Sequence, residues 1–146
     1  MLAPVEAVAT CFRKYAVFSG RAKRSEYWWF FAFTIVGIYG AIMIDVAVLG
    51  LYPLGTPMNW LSVGGAFTFI TLLPILAVGH RRLQDTGLPG WIYFVLTAIA
   101  YSQIFSPSPT TQGLSLIASL VSIGLCLRNS QPGPNKYGPN PHEVSL

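Results

Sequence analysis

The sequence predicts an all-α polytopic membrane protein. Four transmembrane helices form a small bundle with both termini on the cytoplasmic side. An N-terminal amphipathic interfacial helix precedes them and a Pro/Gly-rich C-terminal tail follows. Three observations predict this. First, the 146 residues are 53% hydrophobic and only 10% charged. Soluble domains carry about 25% charged residues, so this chain has too little charge to cover a water-soluble globule. Second, four apolar runs follow one another, at 27–50, 61–79, 90–106 and 112–127. Third, the charges sort by loop. All nine Lys and Arg precede the first run, lie between the second and third, or follow the fourth. The connections 51–60 and 107–111 hold no charge. Lys and Arg collect on the cytoplasmic side of membrane proteins, whereas a soluble helical bundle has no reason to sort its charges by alternate loops.

The length suits one domain, 1–146. Its first piece, 1–19, places Val5, Val8, Phe12 and Tyr15 at helical spacing with Cys11 and Phe18 alongside, while Arg13 and Lys14 fall off that stripe. This predicts a helix either lying on the inner membrane surface or packed on the bundle. Ser19-Gly20 then supplies a left-handed stop.

The stretch "GRAKRSEYWWFFAF" sets Arg21, Lys23 and Arg24 directly against the aromatic block that opens the first span. Tyr27, Trp28 and, at the third span, Trp91 are read as interface anchors, because amphipathic rings sit at headgroup level. Asp45 lies roughly 27 Å beyond Tyr27 along a helix, near the far interface. There it reads as a carboxylate reaching water, with a buried proton site as the alternative. Gly37, Gly40, Gly64, Gly65, Ser115, Ser119 and Ser122 are expected to face other helices, where small residues let backbones approach.

In "HRRLQDTGLPGW", 80–91, the second helix is expected to run on through Leu83, with Gly87 ending it and Pro89 forbidding continuation. Such a short link makes an antiparallel hairpin. The tail, 129–146, repeats Gly-Pro-Asn at 133–135 and 138–140, which excludes helix and strand and favours successive turns around Lys136-Tyr137.

Chemistry is sparse. Cys11 and Cys126 exclude a disulfide-dense scaffold. The two His, two Cys and five acids are scattered, without zinc spacing. No phosphate loop, dinucleotide fingerprint or nucleophile elbow appears. No catalytic residue, metal or cofactor is assigned, and no nucleic-acid partner is expected. The remaining candidate is a basic cluster at the inner interface: Arg21, Arg24, Arg81, Arg82 and Asp85, with Lys136 and Tyr137 folding back beneath it. Asp85 is expected to hold one guanidinium, leaving others for an anionic headgroup, since arginine binds phosphate bidentately. The simpler reading is that these cations only orient the chain.

Three motifs in order, "GRAKRSEYW" at 20–28, "RRLQDTGLPGW" at 81–91 and "GPNKYGPNP" at 133–141, carry a family resemblance. The chain resembles the bacterial inner-membrane family called domain of unknown function 805, the YhaH/YhaI-like proteins, from about Tyr15 to Pro141. The family pattern usually has His where this chain has Gln84, so an imidazole role at that position is excluded here. The resemblance implies a multi-pass protein of the bacterial inner membrane and no established activity. The expected role is a small membrane adaptor or sensor component. Its partners would be membrane lipids, anionic ones included, or a membrane protein or second copy. The alternatives are an oligomeric carrier subunit and an enzyme acting on lipid headgroups.

Overall fold

A computed structural model describes residues 3–48, 50, 62–141 and 143. The uncharged 51–60 connection lies outside the described residues. Among the described residues five helices follow in order: α1 (Pro4–Arg13), α2 (Arg24–Ala47), α3 (Val63–Asp85), α4 (Trp91–Phe105) and α5 (Pro109–Leu127). Of these, α2, α3 and α5 are long and apolar enough to cross a membrane, and α4 is a shorter apolar helix.

The distribution of burial is the reverse of a soluble protein's. Arg81 and Arg82 are the largest fully buried side chains, whereas Phe69, Phe105, Met43 and Ile117 are exposed. Water would drive those apolar groups inward, at about 25 cal/mol per Å²; hydrocarbon does not.

In α1 a proline at the first turn, Glu6 in that turn and Arg13 in the last all suit the helix and its dipole. Its apolar stripe is rotated from the one read in the sequence. Ala7 and Cys11 are fully buried, with Val8 and Phe12 packed beside the core, whereas Val5 is 82% exposed. The small side chains at 7 and 11 let α1 lie close on α2 and α3, and that contact overrides the bulkier Val5.

α2 begins three residues before the aromatic block, because Lys23 is extended and acts as its N-cap. Tyr27, Phe30, Thr34, Ala41 and Asp45 form its buried face. Asp45 does not reach water, contrary to the sequence reading. It accepts from the Val63 and Gly64 amides, each at 2.8 Å, and so caps the start of α3 together with Ser62, which accepts from Gly65 at 3.1 Å. A carboxylate is stabilised there by the helix dipole and by otherwise unpaired N–H groups. Gly64 gives that carboxylate room: a Cβ there would stand 3.0 Å from Asp45 Oδ2, which would have to shift by a few tenths of an ångström. Gly37 does face a neighbour, the Phe67 ring of α3, but Gly40 has open space where its Cβ would be.

α3 continues six residues beyond the expected span end at 79. Residues 81–85 are all buried in protein, so the helix needs no hydrocarbon to continue. It stops as a Schellman motif: Gly87, at φ 84°, donates to Gln84 and Leu88 donates to Leu83. Two glycines close the hairpin to α4. A Cβ on Gly79 would strike the Tyr93 ring at 2.2 Å, and one on Gly90 the His80 ring at 2.5 Å. α5 begins at Pro109, three residues earlier than expected, because Ser108 and Thr111 form a reciprocal capping box. Ser115 then donates across to the Ala100 carbonyl of α4. Ser119 bonds within its own helix.

α2 packs along α1 and α3, and α5 packs along α4. The starts of α2 and α4 and the ends of α3 and α5 meet at one end of the bundle, which carries the buried charge.

Candidate functional site

The link before α2 and the segment after α5 meet the tip of α3 at this charged end. Asp85 stands at the centre and is fully buried. Its Oδ1 accepts from Arg21 Nε at 2.9 Å, and its Oδ2 accepts from Arg82 Nη1 and from the Ser130 hydroxyl. Asp85 therefore holds two guanidinium groups rather than one. Arg21 also donates to the carbonyls of Gly133 (2.7 Å) and Gln131, and the Gln131 amide donates to the Asp85 carbonyl at 2.9 Å. Burying charges of this kind is costly, and each further donor that is matched offsets part of that cost.

The other arginines serve the end of α5. Arg82 Nε donates to Cys126 at 3.0 Å, and its Nη2 to the Arg128 carbonyl. Arg24 donates to the carbonyls of Leu127 and Arg128 and to Asn129 Oδ1 at 2.6 Å. These carbonyls have no helical partners and carry the negative end of the α5 dipole, so two cations cap the helix from two other elements. Arg81 is buried with a different partner, Glu26 of α2, at 2.7 Å. Its Nε and Nη2 have no partner among the described residues.

The tail is a set of turns. Asn135 and Gly138 exchange both backbone hydrogen bonds, and the Tyr137 amide donates to Asn135 Oδ1 at 2.9 Å. Asn135 Nδ2 reaches the Gln84 carbonyl at 3.0 Å, which ties the turns to the α3 tip. The Gln84 side-chain carboxamide faces the carbonyls of Gly20 and Phe18; with its nitrogen turned toward them, the orientation that suits both, it donates at 2.6 and 3.0 Å and ties down the link before α2.

Of the residues singled out in the sequence, Arg21, Arg82 and Asp85 form one ion cluster, and Arg24 joins it through the end of α5. Arg81 stands apart with Glu26. Lys136 is exposed and lies 5.0 Å over the half-buried Tyr137 ring, and Tyr137 lines a cleft that Arg21 also reaches. Trp28 is half-buried against the core, and Trp91 is 60% exposed. Sequence reasoning missed Glu26, Ser130 and the α5 carbonyls. Glu26 carried a signal, as the lone acid among the cations of 21–24. Backbone carbonyls carry none.

Two clefts flank the cluster. One, of about 640 Å³, lies where α2 starts and α5 ends, with Lys23, Arg24, Trp28, Trp29, Asn129 and Ser130 among its lining. The other, of about 660 Å³, lies between α1 and the tail turns. Cys11, beneath α1, is no nucleophile: burial foremost, and then the Glu26 carboxylate, push its thiol up to about 12.

No solved structure matches the chain. It is similar to the inner membrane protein YhaI of Escherichia coli strain K12, 32% identical over 130 residues that cover 88% of this chain and 89% of YhaI. It is also similar to the inner membrane protein YhaH of that strain, 28% identical over 137 residues, with 88% and 90% covered. The model of the family described as protein of unknown function, DUF805, matches residues 15–139, and the chain belongs to that family.

Proposed function

We propose that this is an integral inner-membrane protein, a single domain of four spans with both termini in the cytoplasm. Its role is that of an adaptor or sensor component whose basic inner face takes an anionic lipid headgroup. The observation that carries this reading is the 640 Å³ cleft beside α2, which pairs Lys23 and Arg24 with the indoles of Trp28 and Trp29. Among the described residues no carboxylate lines it. Indoles settle at headgroup depth, so they set the height of the two cations. The first turn of α2 has no side-chain cap and adds its dipole to the same place. Arg24 is held there by the end of α5, and the Arg21–Asp85–Arg82 cluster fixes both helix ends from behind.

The test is native mass spectrometry of detergent-extracted protein offered phosphatidylglycerol and phosphatidylcholine. Wild type is expected to retain phosphatidylglycerol preferentially. Lys23→Ala with Asn129→Ala should lose it, whereas Arg13→Ala with Lys14→Ala should keep it. Equal retention by the two double variants, or no preference between the lipids, would reject the headgroup site.

A further inference from the structure

The second cleft has a different character. It lies between α1 and the tail turns, at about 660 Å³, within the usual size of small-molecule sites. No indole lines it. Its walls are the outer side of α1, with Arg13 and Lys14, the link residue Lys23, and the Tyr137 turn. Arg13 and Lys14 are exposed, and Lys23 is half-buried. Arg21 also reaches the wall but is saturated by Asp85, Gln131 and Gly133. Two carboxylates are present, and they do not cancel the cations. Glu26 is bound to Arg81 at 2.7 Å, which leaves Glu6 alone against Arg13, Lys14 and Lys23. Behind Glu26, the buried Arg81 compensates its charge and keeps two N–H groups without partners among the described residues.

The wall is also built. The Asn135–Gly138 bridge and the Asn135 side chain hold Tyr137 in place, and α1 is seated on α2 by Ala7 and Cys11. A site of three cations, one hydroxyl (Thr10) and one phenol ring suits a phosphate group attached to a small body.

We propose that this cleft binds a soluble phosphorylated small molecule through Arg13, Lys14 and Lys23. Lys23 lines both clefts, so occupancy here withdraws a cation from the headgroup site. The coupling rests on the lipid reading given above; the phosphate site itself does not.

The experiment uses the full chain in detergent with inorganic pyrophosphate as probe, followed by calorimetry, and phosphatidylglycerol nanodiscs as the second arm. Pyrophosphate should bind saturably. Arg13→Ala with Lys14→Ala should weaken it about tenfold, with unchanged melting and unchanged phosphatidylglycerol binding, since both side chains are exposed and outside the other cleft. Lys23→Ala should weaken both ligands. Absence of saturable pyrophosphate binding, or wild-type binding by the Arg13/Lys14 variant, overturns the proposal. So does equal loss of phosphatidylglycerol in that variant, because the cleft would then serve the lipid. If Lys23→Ala with Asn129→Ala keeps its lipid while Arg13→Ala with Lys14→Ala loses pyrophosphate, the headgroup reading fails and this one stands.

Discussion

The hydroxyl of Tyr15 lies 2.7 Å from the carbonyl oxygen of Ile70, the carbonyl that Pro74 leaves without a helical partner. Proline has no N–H, so the residue four positions earlier loses its acceptor bond. In hydrocarbon an unpaired carbonyl is costly, and a neighbouring element has to satisfy it. Tyr15 does so from the segment after α1. Tyr15→Phe should destabilise the protein by ~1 kcal/mol. In a Pro74→Ala background the helix supplies its own donor, and the same substitution should cost little. Thermal unfolding of the four proteins in detergent forms a double-mutant cycle; additive losses would show that the two residues are not coupled.

Gly37 and Gly40 sit one turn apart on α2 and meet different surroundings. A Cβ at 37 would stand 2.1 Å from the Phe67 ring tip, whereas at 40 nothing lies within 4 Å. Gly37→Ala should force that ring aside at a cost of at least about 1 kcal/mol. Gly40→Ala should be neutral or mildly stabilising, because alanine favours helix over glycine. Phe67→Leu should recover part of the Gly37→Ala loss. Similar melting temperatures for the two alanine variants would mean that the helix faces are misassigned.

Asp85→Ala leaves Arg21 and Arg82 buried without their common carboxylate. The expected loss is ~3–5 kcal/mol, together with protease sensitivity after Arg128, because the Ser130 hydroxyl loses its acceptor and Arg21, which holds the carbonyls of Gln131 and Gly133, loses its carboxylate partner. Arg24→Ala removes a half-buried cap of α5 and should cost about 1 kcal/mol or less. A comparable loss in the two variants would contradict the central place of Asp85.

The proposed orientation, with both termini in the cytoplasm, rests on the sorted Lys and Arg. A reporter active only outside the cytoplasm should be silent when fused at the C-terminus and active when inserted after Thr56. An active C-terminal fusion would reverse the assignment of the basic end.

Residue chemistry alone determined the all-helical class, the apolar runs and the stop at Gly87, because hydropathy, periodicity and turn chemistry are local. α2 and α5 start three residues before the apolar runs read at 27 and 112, since polar Arg24 and the Ser108-Pro109 cap belong to helices whose apolar runs start later. The cations at 21–24 and 81–82 were legible as a group near one interface. Their partners were not. Asp85 could be named because it lies three residues from Arg82, but the carbonyls of 126–128, 131 and 133 have no residue signature and come from the far end of the chain. Tertiary structure likewise turned Asp45 from a surface acid into the cap of α3, and Tyr15 into the partner of a proline-broken turn. Where polar backbone ends are removed from water, their donors and acceptors have to be found in space, and sequence distance carries no information about which groups those are.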